Sequence, residues 1–446
     1  MSPIPTTNGN SKWSQGFSFS RFLCDRLKPR LQILERGPRP LVSAIVIVGA
    51  LALLLVADRL MVRLNGDMIN ADFFSFRLSG CGLREGVSNY DPAAWADLHV
   101  RYGRAWIENP ILTYPLPVSF IFLPFCMLPL PLAATAWELV SQVMLILSIT
   151  ALFIGLRAGR PPLAFLVPVV FLSRPAIAVF TNGQLAALWP FSLSLFYLLA
   201  RRGRYAAAGS VLTLLLLKPS LPVIILPVAL AWLLKRRAWK GLLAFVMVSA
   251  AALSLSLLVQ PEWIEQWWHF SSLRGTEFGT FVPTLWGLLY DLLAAHLPPL
   301  IWLGAGAIMA ALLIVFCIWW FARIWDPWPP AVWLASAVCV SLFVSPYAWN
   351  YDHVLLIFPL GVILALSNHM AETRRRLTWG GAVVVMDVLP YVLLVVAGWR
   401  QVDTLSALVP LAMLLLLTAA VYWSRHEQGQ ISSIAPIAFE LTREDQ

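Results

Sequence analysis

The sequence predicts an all-α, polytopic integral membrane protein, and three observations carry that prediction. Hydrophobic residues fill 59% of the 446 positions and charged residues only 12%, about half of the roughly 25% typical of a soluble domain. Apolar runs recur from Leu41 to Trp423, on the scale of the ~20 residues a spanning helix needs. The turns between several of them are basic: RRGR (201–204), KRRAWK (235–240) and RRR (374–376). A mean hydropathy of +0.74 agrees.

The first forty residues are polar and basic, and Ser, Thr, Asn and Pro dominate residues 1–20. Residues 1–40 therefore read as a cytoplasmic, partly disordered tail. That stretch is too long for the n-region of a cleavable signal peptide, so the run from Leu41 to Ala57 reads as an uncleaved signal anchor. Residues 62–110 then form a first extracytoplasmic loop. In it, Asp91-Pro92 predicts a helix start, with Asp as N-cap and Pro at the first helical position. Trp95, Leu98, Tyr102 and Trp106 follow at helical spacing. That stripe fits an amphipathic helix on the membrane surface or a helix packed on the protein itself.

Residues 111–131 are apolar but carry Pro115, Pro117, Pro124, Pro129 and Pro131. Such a run argues against a plain spanning helix and predicts a re-entrant or half-buried piece. Further spans are expected at about 133–155, 163–180, 185–200, 205–217, 223–234, 241–259, 298–322, 331–344, 354–368, 378–398 and 405–423. Basic turns mark the cytoplasmic side. With them placed there, the count closes at about twelve crossings. TNGQ (181–184), KPS (218–220), the aromatic loop 260–283 and SPYAWNYDH (345–353) then share a face with Asp72. Trp263, Trp267, Trp268 and Phe270 in that loop suggest an interfacial belt. The expected organisation is one membrane domain, 41–423, with a cytoplasmic C-terminal tail, 424–446. The protein would be a multi-pass plasma (inner) membrane protein with both termini cytoplasmic.

A formal charge of +9 is here a topology signal. A nucleic-acid partner would call for a compact basic soluble module, and the sequence shows none. Cys24, Cys81, Cys126, Cys317 and Cys339 have no metal spacing and suggest no disulfide framework; the three in apolar stretches read as buried, inert thiols. Walker A, GxGxxG, GxSxG and HExxH patterns are missing, so nucleotide-driven transport and metalloprotease chemistry have no support. No cofactor and no metal are expected.

Several residues invite chemistry. Asp72 lies in Ala71-Asp72-Phe73-Phe74; it is either a solvated loop acid or a desolvated carboxylate suited to act as a general base. Asn182 and Gln184 flank Gly183, as helix caps or as amides for sugar hydroxyls. Lys218 interrupts an apolar hairpin, which is costly unless it snorkels or meets a phosphate or carboxylate. Arg174, in SRPA, poses the same question. Asn350, Tyr351, Asp352 and His353 crowd one short connection, either a plain polar loop or a site in which His353 acts as acid or base near neutral pH.

In order, ADFFSFRLSG (71–80), YDP (90–92), YPLP (114–117), Trp137, NGQ (182–184), AAAG (206–209), LKPS (217–220) and SPYAWNYDHVLLIFPL (345–360) resemble glycosyltransferase family 87. The resemblance covers roughly residues 41–370. It implies the membrane-embedded GT-C fold, and a polyprenyl-phosphate sugar donor used from the extracytoplasmic side. The best-known family type is a polyprenol-phosphate-mannose-dependent α-mannosyltransferase. The position that matches the family's general base is Asp72. The family's SP…W motif precedes a His pair, where this chain has Tyr351 and Asp352 before His353. The implied reaction moves mannose, or another hexose or pentose, to an acceptor hydroxyl with inversion. Lys218 and Arg174 would hold the donor phosphate. Asn182, Gln184, Asn350, Tyr351, Asp352 and His353 would hold sugar or acceptor. The partners would be the donor, a lipid or glycan acceptor and membrane lipids. The competing reading is a transporter or flippase for lipid-linked sugars, which tends to show internal repeats and mid-membrane charges.

Overall fold

The computed structural model describes residues 72–103, 110–158, 163–278, 281–294, 296–324 and 330–432. All of them belong to the compact unit Ala50–Gln446. The N-terminal tail, the first span at 41–57, Trp106 and the end of the C-terminal tail lie outside the described residues. Helix is the only regular secondary structure among those described, as the apolar periodicity predicts.

Five helices are long and apolar enough to cross a membrane: Leu130–Leu156, Trp239–Val259, Asn350–Ser367, Glu372–Arg400 and Thr404–Glu427. Phe165–Phe171 and Arg174–Asn182 make a sixth if counted as one span broken by 61°. The break follows from local chemistry. Ser173 caps the second helix by accepting from the Ala176 amide, and Pro175 occupies its first turn. Of the remaining expected spans between 185 and 344, 298–322 falls on the 26-residue helix Pro299–Ile324, and the others form shorter helices, Leu185–Arg201, Tyr205–Leu217, Ile225–Lys235 and Pro330–Val344. The long ones differ widely in burial. In Trp239–Val259 only 6% of the spanning window is buried, whereas in Asn350–Ser367 it is 78%. The first turns its apolar side chains outward; the second is buried within the bundle and carries Tyr351, Asp352 and His353 with it.

The loop after the first expected span is a packed subassembly. The helices Asp72–Glu85 and Pro92–Arg101 lie against the short helix Pro117–Cys126 and the loop before it. Asp91 accepts from the Ala94 amide at 2.7 Å, the expected N-cap, with Pro92 at the first helical position. The apolar stripe of that second helix faces the protein. Trp95 and Leu98 are buried against Phe74, Leu78, Ile111 and Trp263. Of the two readings left open, packing on the protein is the one observed, because those side chains bury more apolar area against neighbours than a polar interface offers. Trp263 is likewise buried, and Trp267 donates to the Thr113 carbonyl at 2.9 Å, while Trp268 stays exposed.

The proline-rich stretch folds as a ten-residue helix, Pro117–Cys126, with Pro124 inside it. It is held closely to Asp72–Glu85. Gly80 makes the approach possible: a Cβ there would come within 2.5 Å of the Phe122 carbonyl carbon. Arg77 reaches across to the carbonyls of Phe125 at 3.1 Å and Leu128 at 2.8 Å, satisfying acceptors that a helix end leaves open. Cys81 and Cys126 form a disulfide with a Cα–Cα distance of 5.1 Å. This corrects the expectation of no disulfide, and with it that of an inert thiol at Cys126. A separation of 45 residues carries no framework signal, and only the packing of two helices brings the sulfurs together. Cys339 is a buried thiol, as expected.

Candidate active site

Four segments that the charge pattern assigned to one face meet in the structure. The first contact is between Asp72 and Gln184, whose side-chain amide donates to Asp72 Oδ2. Asp72 lies in the first turn of its helix, where the dipole favours a carboxylate. Phe73 and Phe74 beside it are buried and anchor that turn. The segment NGQ closes one helix and opens the next turn. Asn182 is the last residue of Arg174–Asn182, Gly183 is a left-handed C-cap at φ 65°, and Gln184 leads into the short 3₁₀ turn Leu185–Ala187. Gly183 is required twice, since a Cβ would also fall 2.4 Å from Phe73 Cβ. Its carbonyl accepts from Trp137 Nε1 at 3.0 Å. Gln184 is therefore aimed at Asp72 by a turn that only glycine fits comfortably.

The second contact joins LKPS to SPYAWNYDH. Lys218 Nζ lies 2.5 Å from Asp352 Oδ2, and both side chains are buried. The rings of Tyr351 and Tyr347 stand 5.0 and 5.5 Å from the ammonium. Three serines stitch the two segments together. Ser220 donates to the Tyr347 carbonyl at 2.9 Å, Ser345 to the Ser220 carbonyl at 2.8 Å, and Ser341 to the Leu221 carbonyl at 2.5 Å. Pro219 disfavours helical backbone at Lys218, which is extended at φ −135°. Lys218 thus neither snorkels nor stands alone; its charge is paired inside the protein.

Tyr114 bridges the two contacts. Its hydroxyl donates to Gln184 Oε1 at 3.5 Å, and it shares a hydrogen bond with Tyr351. Desolvation by burial, and then the carboxylates of Asp352 and Asp72 with Tyr347, hold its phenol well above the ordinary value of 10.0. It stays a neutral hydrogen-bonding group. Beside Asp72 lies a small cleft lined by Ser75, Phe76, Trp95 and residues 111–114. A carboxylate at a cleft, braced by an amide, can take a proton from one ligand, and a buried ammonium can hold the negative charge of another.

Arg174 and Asn350 sit in a further cluster. Arg174 forms a 2.6 Å ion pair with Asp403, and also donates to Ser406 at 3.0 Å. Asn350 donates to the same Asp403 carboxylate at 3.1 Å. His353 is buried, and its Nε2 has no hydrogen-bond partner among the described residues. No group of three or more His, Cys, Asp or Glu converges as metal ligands among those residues. Sequence reasoning passed over Tyr114 and Asp403. The tyrosine was visible only as part of YPLP; the aspartate could have been sought as the counter-ion that a buried Arg174 demands.

This architecture defines a polytopic helical membrane protein with a polar site assembled from loops and helix ends. The glycosyltransferase family 87 model matches residues 112–346, more than half the chain, and the protein belongs to that family. It is therefore a membrane glycosyltransferase, and the transporter alternative has no support. The match includes Tyr114, Arg174, Gln184 and Lys218, while Asp72, Asp352 and Asp403 flank it. No curated protein matches the chain.

Proposed function

We propose that the protein transfers a sugar from a polyprenyl-phosphate donor to an acceptor hydroxyl on the extracytoplasmic face, with inversion and with Asp72 as general base. The observation that carries this reading is the convergence of Asp72–Gln184 and Lys218–Asp352 around Tyr114. Asp72 takes the proton of the acceptor hydroxyl, whose oxygen attacks the anomeric carbon. The bond from that carbon to the phosphate oxygen breaks, and polyprenyl phosphate leaves with the electron pair. Lys218 stabilises the developing charge on the phosphate. A single displacement inverts the anomeric centre.

Arg174, whose guanidinium pairs with Asp403 as the Lys218 ammonium pairs with Asp352, remains a second candidate for the donor phosphate. Asn182, Asn350, Tyr351, Asp352 and His353 remain the candidate groups for sugar and acceptor, and we assign Gln184 to orienting Asp72. The Cys81–Cys126 disulfide supports the extracytoplasmic placement, because disulfides persist in oxidising compartments. The same reading takes the GT-C fold with about twelve crossings, a single membrane domain over 41–423, cytoplasmic tails at 1–40 and 424–446, and the plasma (inner) membrane as location.

The test is transfer by purified protein in lipid, with native membrane extract as acceptor. Radiolabelled polyprenyl-phosphate sugars are run beside the matching nucleotide sugars. Product from the lipid-linked donors alone is expected, with inverted linkage. Product from nucleotide sugars alone would overturn the donor class.

A further inference from the structure

The carboxylate of Asp352 is satisfied on one side only. Oδ2 accepts from Lys218 Nζ at 2.5 Å and from the Trp349 amide at 2.7 Å. Oδ1 is buried and has no hydrogen-bond partner among the described residues, and Asp352 as a whole is 0% exposed. A buried acceptor left open costs stability and calls for a partner. An ionised carboxylate only accepts, so that partner must be a donor. A phosphate diester at neutral pH has no proton to offer. A sugar offers one at each hydroxyl.

Lys218 is the complement. Its ammonium has three N–H groups, and one is directed to Asp352. The faces of Tyr347 and Tyr351 hold the cation in place. The pair thus presents donors and one open acceptor side by side. A glycosyl phosphate presents the matching arrangement, since its phosphate sits on the anomeric carbon and the neighbouring ring carbon bears a hydroxyl.

We propose that Asp352 is a specificity-determining residue whose Oδ1 accepts a hydrogen bond from the donor sugar's hydroxyl next to the anomeric carbon, while Lys218 holds the phosphate. This rests on the polyprenyl-phosphate reading above. It deepens that reading by naming the part of the sugar that is recognised. Donors that lack this hydroxyl are discriminated against, whatever the configuration at the remaining carbons.

The test measures binding to the purified protein in lipid nanodiscs, so that no acceptor is needed. The probes are short-chain polyprenyl-phosphate mannose, the glucose counterpart, their common 2-deoxy analogue and polyprenyl phosphate without sugar. Wild type is expected to bind the better hydroxylated donor about 10- to 100-fold more tightly than the deoxy analogue, the range of one hydrogen bond to a charged group. Asp352→Ala should bring that ratio close to one while still binding polyprenyl phosphate. Asp352→Asn keeps a neutral acceptor, so it should retain an intermediate ratio. It also decides the matter if the alanine variant does not fold. Equal binding of hydroxylated and deoxy donors by wild type would overturn the proposal, as expected if a water satisfies Oδ1. An undiminished ratio in both variants would overturn it too. Failure of wild type to bind any probe, polyprenyl phosphate included, would instead overturn the donor reading beneath it.

Discussion

Gln184 donates its side-chain amide to the carboxylate of Asp72, linking residues 112 positions apart. The bond fixes the carboxylate at its cleft. Gln184→Ala should therefore lower kcat roughly 10- to 100-fold, on the scale of a misplaced catalytic group, with donor affinity nearly unchanged. Single-turnover transfer beside donor titration checks this. A rise in KM with kcat intact would mean that Gln184 binds substrate instead of orienting Asp72.

Gly183 carries the turn that aims Gln184. Its φ of 65° and the 2.4 Å approach to Phe73 Cβ both resist a side chain. Gly183→Ala should cost about 1–3 kcal/mol from backbone strain and displace Phe73, the residue after Asp72. The expected outcome is a lowered Tm together with reduced transfer. Gly86 has a similar φ but nothing within 4 Å of its would-be Cβ, so Gly86→Ala should lower stability only through strain and leave transfer intact.

The Cys81–Cys126 disulfide, the Arg77 bonds and Gly80 hold the two helices behind Asp72 together. Cys81→Ser should destabilise by about 2–4 kcal/mol. Thermal unfolding in detergent, with and without reductant, reads this out. Reductant should lower Tm in wild type and have no further effect in the variant.

Asp403 neutralises a buried Arg174 and receives Asn350. Asp403→Ala should cost about 3–5 kcal/mol, the penalty of leaving a buried charge unpaired. Asp403→Ala paired with Arg174→Met should recover most of it. Without such recovery, the ion pair would not be what holds this corner of the bundle.

Burial holds the phenols of Tyr90 and Tyr114 well above 10.0. Below that pH the group is neutral in both folded and unfolded chains, and its contribution to stability is fully present. Above it the unfolded chain releases the proton while the folded one does not, so stability falls as pH rises. Tm should decline beyond about pH 10, and less steeply in Tyr114→Phe.

The membrane character, the positions of most helices and the grouping of the polar motifs were legible, because hydropathy and basic turns are local signals. The Asp91 cap was legible for the same reason. Pairings between distant residues were not. Nothing around Gln184 points to Asp72, and nothing around Cys81 points to Cys126, because each contact is made by helix packing. The stripe Trp95–Leu98 signals burial without naming its partner. Arg174 was legible as a residue in need of an anion, but the need alone does not distinguish Asp403 from a donor phosphate.

The central claim is that Asp72 removes the acceptor proton. The most direct measurement compares wild type with Asp72→Asn, recording donor binding and single-turnover transfer on the same folded preparations. Donor affinity should be unchanged and transfer reduced about 10²- to 10⁴-fold, the usual contribution of a general base. Equal transfer by the two proteins would contradict it and remove Asp72 from the chemistry.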